Sequence, residues 1–189
     1  MEEKNIKILK AGGVGVIPTD TLYGLVGRAD LVETVAKISK IKNRSDGKGF
    51  IVLISDLADL DGFGIEVTEP AKIFLKKFWP GKVSIIFPSS DSKFNHLKKD
   101  GAIAFRLPDK KDLIEVLKQT GPLVAPSANP EGQPPAKNTE EAKKYFGLPG
   151  QGDLADFYED GGELNSKPST LVKIDGDEIK VLRLGAVII

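Results

Sequence analysis

Residues 122–135, Pro122-Leu-Val-Ala-Pro-Ser-Ala-Asn-Pro-Glu-Gly-Gln-Pro-Pro135, change character partway along. Leu123 to Ala125 is an apolar run of strand length. From Pro126 to Pro135, four prolines and one glycine fix φ and remove amide donors, so neither helix nor sheet can continue. A strand that empties into a stiff polar loop is the arrangement found where ligands collect in open α/β sheets. Ser127 and Asn129 in that loop fit two readings. They satisfy turn hydrogen bonds, as these residue types readily do, or they contact a ligand.

The flanking sequence alternates between strand and helix patterns. Residues 2–11 predict a helix with Ile6 and Leu9 on one face, ended by Gly12-Gly13. Val14 to Ile17 reads as a strand that runs into Pro18-Thr-Asp-Thr-Leu-Tyr-Gly-Leu25. That segment is either a capped turn or a pocket wall rich in hydroxyls. Asp30 and Glu33 form a capping-box pattern for a helix over 31–41. Strands are expected at 50–54, 83–87 and 103–107, with helices at 69–79, opened by Thr68, and at 109–119, capped by Asp109. Residues 88–100 read as polar and irregular. Asn138 and Glu141 open a helix to Phe146, 156–159 fits a short strand, and 171–174 with 179–184 form a hairpin around Asp175-Gly-Asp. This order predicts one α/β domain, a twisted open mixed sheet with flanking helices.

Composition narrows the chemistry. The 27 basic and 27 acidic side chains cancel, so any polyanion site must come from local clustering. Absence of Cys excludes disulfides and thiolate chemistry, and the single His, His96, is expected to be exposed and idle. No apolar run reaches membrane-spanning length and the N-terminus lacks signal-peptide character, so a cytoplasmic protein with no membrane partner is expected. Neither a G-x-x-x-x-G-K-[ST] loop nor a G-x-S-x-G elbow occurs, and Gly13-Val-Gly15 lacks the third glycine of a dinucleotide fingerprint.

What remains is a set of cations, Lys42, Arg44, Lys48, Arg106 and Arg183, with the polar groups Thr21, Ser127, Asn129 and Ser169. Such a set binds an anion and accelerates by positioning and charge stabilisation. Lys42, Arg44 and Lys48 are either dipole complements at a helix end or a phosphate clamp. As exposed loop cations they are expected to contribute little to stability. Arg106, among apolar strand neighbours, needs either a structural carboxylate or a ligand's.

Eight fragments occur in the order seen in the YrdC family, which the chain resembles from about residue 10 to its end. They are Pro18-Thr-Asp-Thr-Leu-Tyr-Gly, Lys42-Asn-Arg44, Asp46-Gly-Lys-Gly-Phe50, Trp79-Pro-Gly, Ala104-Phe-Arg106, Pro126-Ser-Ala-Asn-Pro-Glu-Gly132, Pro168-Ser-Thr170 and Leu182-Arg-Leu-Gly185. The resemblance is to the short form, a single YrdC-like domain over 1–189 without an extra C-terminal domain, built around a concave basic cleft. Ser45 departs from a frequent Pro and is expected to loosen the basic loop. Lys82 departs from a frequent Pro, and Leu53 from a His that some relatives place at the threonine pocket.

The resemblance implies a threonylcarbamoyl-AMP synthase. Such an enzyme takes L-threonine, bicarbonate and ATP with Mg2+, and releases pyrophosphate. A threonylcarbamoyl-transferase protein then modifies tRNA. Lys42, Arg44, Lys48, Asn129, Lys137 and Arg183 would bind ATP, with Lys42 and Arg44 catalytic, and no residue is assigned to the metal. Thr21, Arg106, Ser127 and Ser169 would hold threonine. The alternatives are an RNA-binding paralogue, taking tRNA or double-stranded RNA in the cleft, and carbamoyl-adenylate chemistry on another substrate.

Overall fold

The computed structural model describes residues 1–45, 47–148, 154–175 and 178–189. Asp46 of the third fragment, and Gly176 and Asp177 of the hairpin turn, lie outside the described residues. Among the described residues nine strands form one mixed sheet. They are β1 (Gly15–Pro18), β2 (Tyr23–Arg28), β3 (Ile51–Leu53), β4 (Val83–Pro88), β5 (Ala102–Arg106), β6 (Leu123–Val124), β7 (Phe157–Tyr158), β8 (Thr170–Asp175) and β9 (Glu178–Arg183). Their order across the sheet is β7-β1-β2-β6-β3-β5-β4-β8-β9. The helices are α1 (Glu3–Lys10), α2 (Val32–Ile41), α3 (Glu69–Phe78), α4 (Lys111–Thr120) and α5 (Thr139–Phe146). The expected α/β class and mixed sheet are what the chain adopts.

The capping signals succeed where the side chain has no stronger partner. Thr68 accepts from the Ala71 amide, and Asn138 Oδ1 from the Glu141 amide at 2.9 Å. Glu141 reaches back one residue further than a capping box requires, to the Lys137 amide. Asp30 fails as a cap because Arg28 takes both its carboxylate oxygens, at 2.9 and 2.5 Å. Asp109 fails as well; its amide donates to Asp20, and α4 begins at Lys111.

Two segments differ from expectation. Residues 18–25 do not stay a loop: β1 and β2 pair as a hairpin, Gly15 opposite Val26 to Pro18 opposite Tyr23. Thr19 Oγ1 fastens its turn, accepting from the Thr21 and Leu22 amides and donating to Leu22 O at 2.7 Å. The strand is masked in sequence by Gly24 and Gly27. Gly27 is needed because a Cβ there would lie 2.4 Å from the Thr34 side chain of α2. Residues 92–97 form a 3-10 turn, capped by Asp91, that buries Phe94 and Leu97. His96 rides on it half-buried, its Nε2 2.8 Å from Ala29 O, so it is not an idle surface residue.

Helices cover the two sheet faces unequally. One face carries the larger core, where α2, α3, α5 and the 3-10 segments Leu57–Phe63 and Ser92–Leu97 pack Val35, Ile38, Phe74, Phe146, Phe63 and Phe94 against the strands. On the other face α1 and α4 bring Leu9, Leu113, Val116 and Leu117 onto Ile17, Val26, Leu53 and Leu123. These residues belong to β1, β2, β3 and β6, which make up one half of the sheet. Over β4, β5 and β8 that second face is open.

Candidate functional site

The open half-face is the floor of a cleft of about 700 Å³. Strand periodicity selects the floor: along β5, Ile103 and Phe105 point into the core while Ala102, Ala104 and Arg106 line the cleft. Thr21, Arg44, Lys48, Arg106, Ser127, Ser169 and Arg183 all line it; Lys42, Asn129 and Lys137 do not.

At one end Arg106 is buried with Asp20, their side chains 5% and 3% exposed. Nη1 donates to Asp20 Oδ1 at 2.6 Å and to Thr21 Oγ1 at 3.3 Å. The structural carboxylate is therefore present, but it serves only one edge of the guanidinium. Nε has no partner. Burial pulls the Arg106 pKa below its usual value, against the opposing pull of Asp20. Ser127 Oγ donates to Asn129 Oδ1 at 2.6 Å, and the Ser169 and Ser84 hydroxyls lie 2.8 Å apart. Arg183 Nη2 donates to Ser169 O at 2.9 Å, which places its guanidinium beside the same hydroxyls.

The stiff loop after β6 is held from inside. Asn129 Nδ2 donates to Pro130 O and Gln133 O at 2.9 and 2.7 Å, so its amide is fully engaged in the turn. Lys42 is the larger surprise. It is the C-cap residue of α2, only 3% exposed, and its Nζ donates to Ser127 O and Asn129 O. It is thus a buried brace between the two motifs, not an exposed cation. Burial pushes its pKa down from 10.5 to about 8, helped by Arg44 and opposed by Glu131. Lys137 is exposed, away from the cleft.

Arg44 and Lys48 face the cleft from the loop that follows α2. Arg44 Nη2 donates to Gly49 O at 2.6 Å, and its guanidinium lies 4.7 Å from the Phe50 ring centroid. Lys48 pairs with Glu131, which also accepts from the Ser45 amide and hydroxyl, each at 2.7 Å. These donors, Lys48 first, hold the Glu131 carboxyl down at about 2. Ser45 therefore fastens the loop: a Pro there would lack the amide that Glu131 uses, so the expected loosening does not occur. Leu53 is buried in the smaller core and does not line the cleft. Glu131 went unnoticed in sequence because its partners are more than eighty residues away.

Among the described residues, no group of three or more His, Asp or Glu side chains could hold a metal ion. Nor, among those residues, is any helix long and apolar enough to cross a membrane.

A family model named for Sua5, YciO and YrdC, described as "Telomere recombination", matches residues 7–185. Threonylcarbamoyl-AMP synthase of Bacillus subtilis is 30% identical over 178 residues, covering 93% of this chain and 50% of that protein. Among solved structures, P. abyssi Sua5 complexed with L-threonine superposes with a TM-score of 0.84 at 26% identity, over 98% of this chain and 55% of that one. E. coli YciO superposes at 0.83 and 25% identity, over 96% of this chain and 87% of its own. The chain thus spans about half the length of the B. subtilis and P. abyssi proteins.

Proposed function

The chain belongs to the Sua5/YciO/YrdC family, and from that premise we propose that it makes threonylcarbamoyl-adenylate from L-threonine, bicarbonate and ATP. The observation that carries this reading is Arg106. Its guanidinium is half-served by Asp20, its Nε lacks an acceptor, and it lines a cleft shared with Thr21, Ser127 and Ser169. A carboxylate along the Nε–Nη2 edge would supply what is missing, as a bidentate partner.

The reaction asks little covalent chemistry of the protein. The threonine amine and bicarbonate condense to N-carboxythreonine with release of water, and its carboxylate oxygen attacks the α-phosphorus of ATP while the bond to the β-phosphate oxygen breaks. Pyrophosphate leaves and takes the electron pair. The attacking group is already an anion, so no Ser, Cys or His nucleophile is required. Arg106 holds the threonine carboxylate, with the Thr21, Ser127 and Ser169 hydroxyls around the amino acid. Arg44, Lys48 and Arg183 neutralise phosphate charge, and an incoming phosphate competes with Glu131 for Lys48. Lys42 and Asn129 act through the Ser127 loop, whose shape they fix; Lys137, exposed and off the cleft lining, is given no contact with the nucleotide. Mg2+ would arrive on the triphosphate, because the described residues build no cage for it. The product suits transfer by a second protein to an adenosine of tRNA.

Purified protein with ATP, Mg2+, L-threonine and bicarbonate should release pyrophosphate, and omission of either threonine or bicarbonate should return release to background. Serine should be turned over roughly 10–200-fold less efficiently, the discrimination available from one methyl group. Pyrophosphate release that is indifferent to threonine would overturn the reading.

A further inference from the structure

The end of the cleft opposite Arg106 carries cations with no assigned role. Four residue steps along β5 lead from Ala102 to Arg106 on the floor, about 13 Å along an extended strand. Lys99 lines the cleft at the Ala102 end, and Lys173 lines it at the level of Ala104, two residues along β5 from Arg106. Lys99 is fixed by reciprocal backbone bonds with Ala102, at 2.9 and 3.0 Å. A Cβ on Gly49 would stand 2.9 Å from Lys99 Cβ, so glycine there lets the Lys99 segment come against the Arg44–Lys48 loop. Lys173 of β8 lies beside Ile86 of β4, which lies beside Ala104.

On its other side Lys173 stands directly opposite Lys180 of β9. Like charges opposite one another in an antiparallel pair destabilise it. Lys180 is relieved by Glu178 at 3.1 Å. Among the described residues neither the Lys99 nor the Lys173 ammonium has an ion-pair partner. Among the described residues Asp100 is the one carboxylate that lines the cleft, against three lysines, Lys48, Lys99 and Lys173.

We infer that Lys99 and Lys173 form a second anion subsite, which takes the terminal phosphates of a nucleoside triphosphate. This rests on reading the cleft as the nucleotide site, and it names the groups that receive the leaving pyrophosphate. With the α-phosphate near a threonine held at Arg106, the β- and γ-phosphates extend toward Ala102. Charge builds on the departing oxygen as its bond breaks, and fixed cations at that end stabilise it. Lysines suit a group that must leave, since they act as point charges and lack the bidentate fork of arginine.

The test needs no turnover. Inorganic tripolyphosphate is titrated by calorimetry into the parent, Lys99→Met, Lys173→Met and the double variant, and threonine-induced thermal stabilisation is recorded for each. The parent should bind tripolyphosphate. Each single variant should bind it about tenfold more weakly, the scale of one charge-assisted contact. The threonine response should be unchanged in all four, and Lys173→Arg should restore binding. Melting temperature should not fall in Lys173→Met, because the opposed pair with Lys180 is relieved. A double variant that binds tripolyphosphate as the parent does, or a parent that does not bind it, overturns the subsite. Loss of binding in the variants together with threonine-independent pyrophosphate release would leave the subsite standing and remove the synthase reading. Threonine-dependent release with undiminished binding in the variants would do the reverse.

Discussion

Arg106→Met should lower the free energy of unfolding by about 3–5 kcal/mol, because it strands the Asp20 carboxylate, 3% exposed, without its cation. Denaturant melts would read this directly. Pairing it with Asp20→Asn should recover much of the loss, since the uncompensated charge is then gone. Arg106→Lys separates the two duties of the side chain. Its ammonium can still serve Asp20, but it offers no second edge to a carboxylate. Threonine at a hundredfold excess over Kd should stabilise the parent by about 2.7 kcal/mol and the lysine variant by much less. If Arg106→Lys gains as much from threonine as the parent, the guanidinium belongs to the scaffold alone.

Lys42→Met should cost about 3 kcal/mol, although the sequence places this residue in what reads as a solvated basic loop. The buried Asn129 carbonyl loses its donor, which costs about 1–3 kcal/mol, and the Ser127 carbonyl is left with the Asn129 amide alone. The same site makes stability depend on pH. Lys42 titrates near 8 in the folded chain and near 10.5 unfolded, so the folded state sheds its proton first. Below pH 8 both states are protonated, and above 10.5 neither is. Between these values the contribution of Lys42 to stability rises with pH, by up to about 1.4 kcal/mol per unit. The difference in unfolding free energy between parent and Lys42→Met should therefore widen from pH 8 to 10.5. A constant difference across that range would mean that Lys42 is not buried as an ammonium.

Strand and helix positions were legible wherever a local pattern had no long-range competitor. Asn138 and Thr68 cap as their sequence context predicts, whereas Asp30 and Asp109 look equally good and are diverted, by Arg28 and by the Asp20 turn. β2 was hidden because Gly24 and Gly27 break a strand pattern, and Gly27 is demanded by the approach of α2, which no local signal reveals. The motifs that carry the family resemblance contain the residues proposed to hold threonine, and Arg106 stood out because a charge in an apolar strand needs a reason. Lys99 and Lys173 carry no such mark. They look like ordinary surface lysines until the sheet order sets β4, β5 and β8 side by side. Lys42 failed in the opposite sense: adjacency to Arg44 suggested shared exposure, but a helix end turns consecutive side chains in different directions.

The half-covered sheet makes β5 a strand that answers to two different pressures at alternate positions. Ile103 and Phe105 face a core that tolerates little change in volume, so substitutions there should be read out as lost abundance. Ala102 and Ala104 face open space; a bulkier side chain would fit without strain on the core and would instead occupy the volume a nucleotide needs. A scan of every substitution from 102 to 105 should therefore oscillate with a period of two. Soluble yield should fall at odd positions, and catalytic output per folded molecule should fall at even ones. Adaptation of this cleft to a different acyl or nucleotide partner could then proceed on the even register alone, leaving foldability untouched.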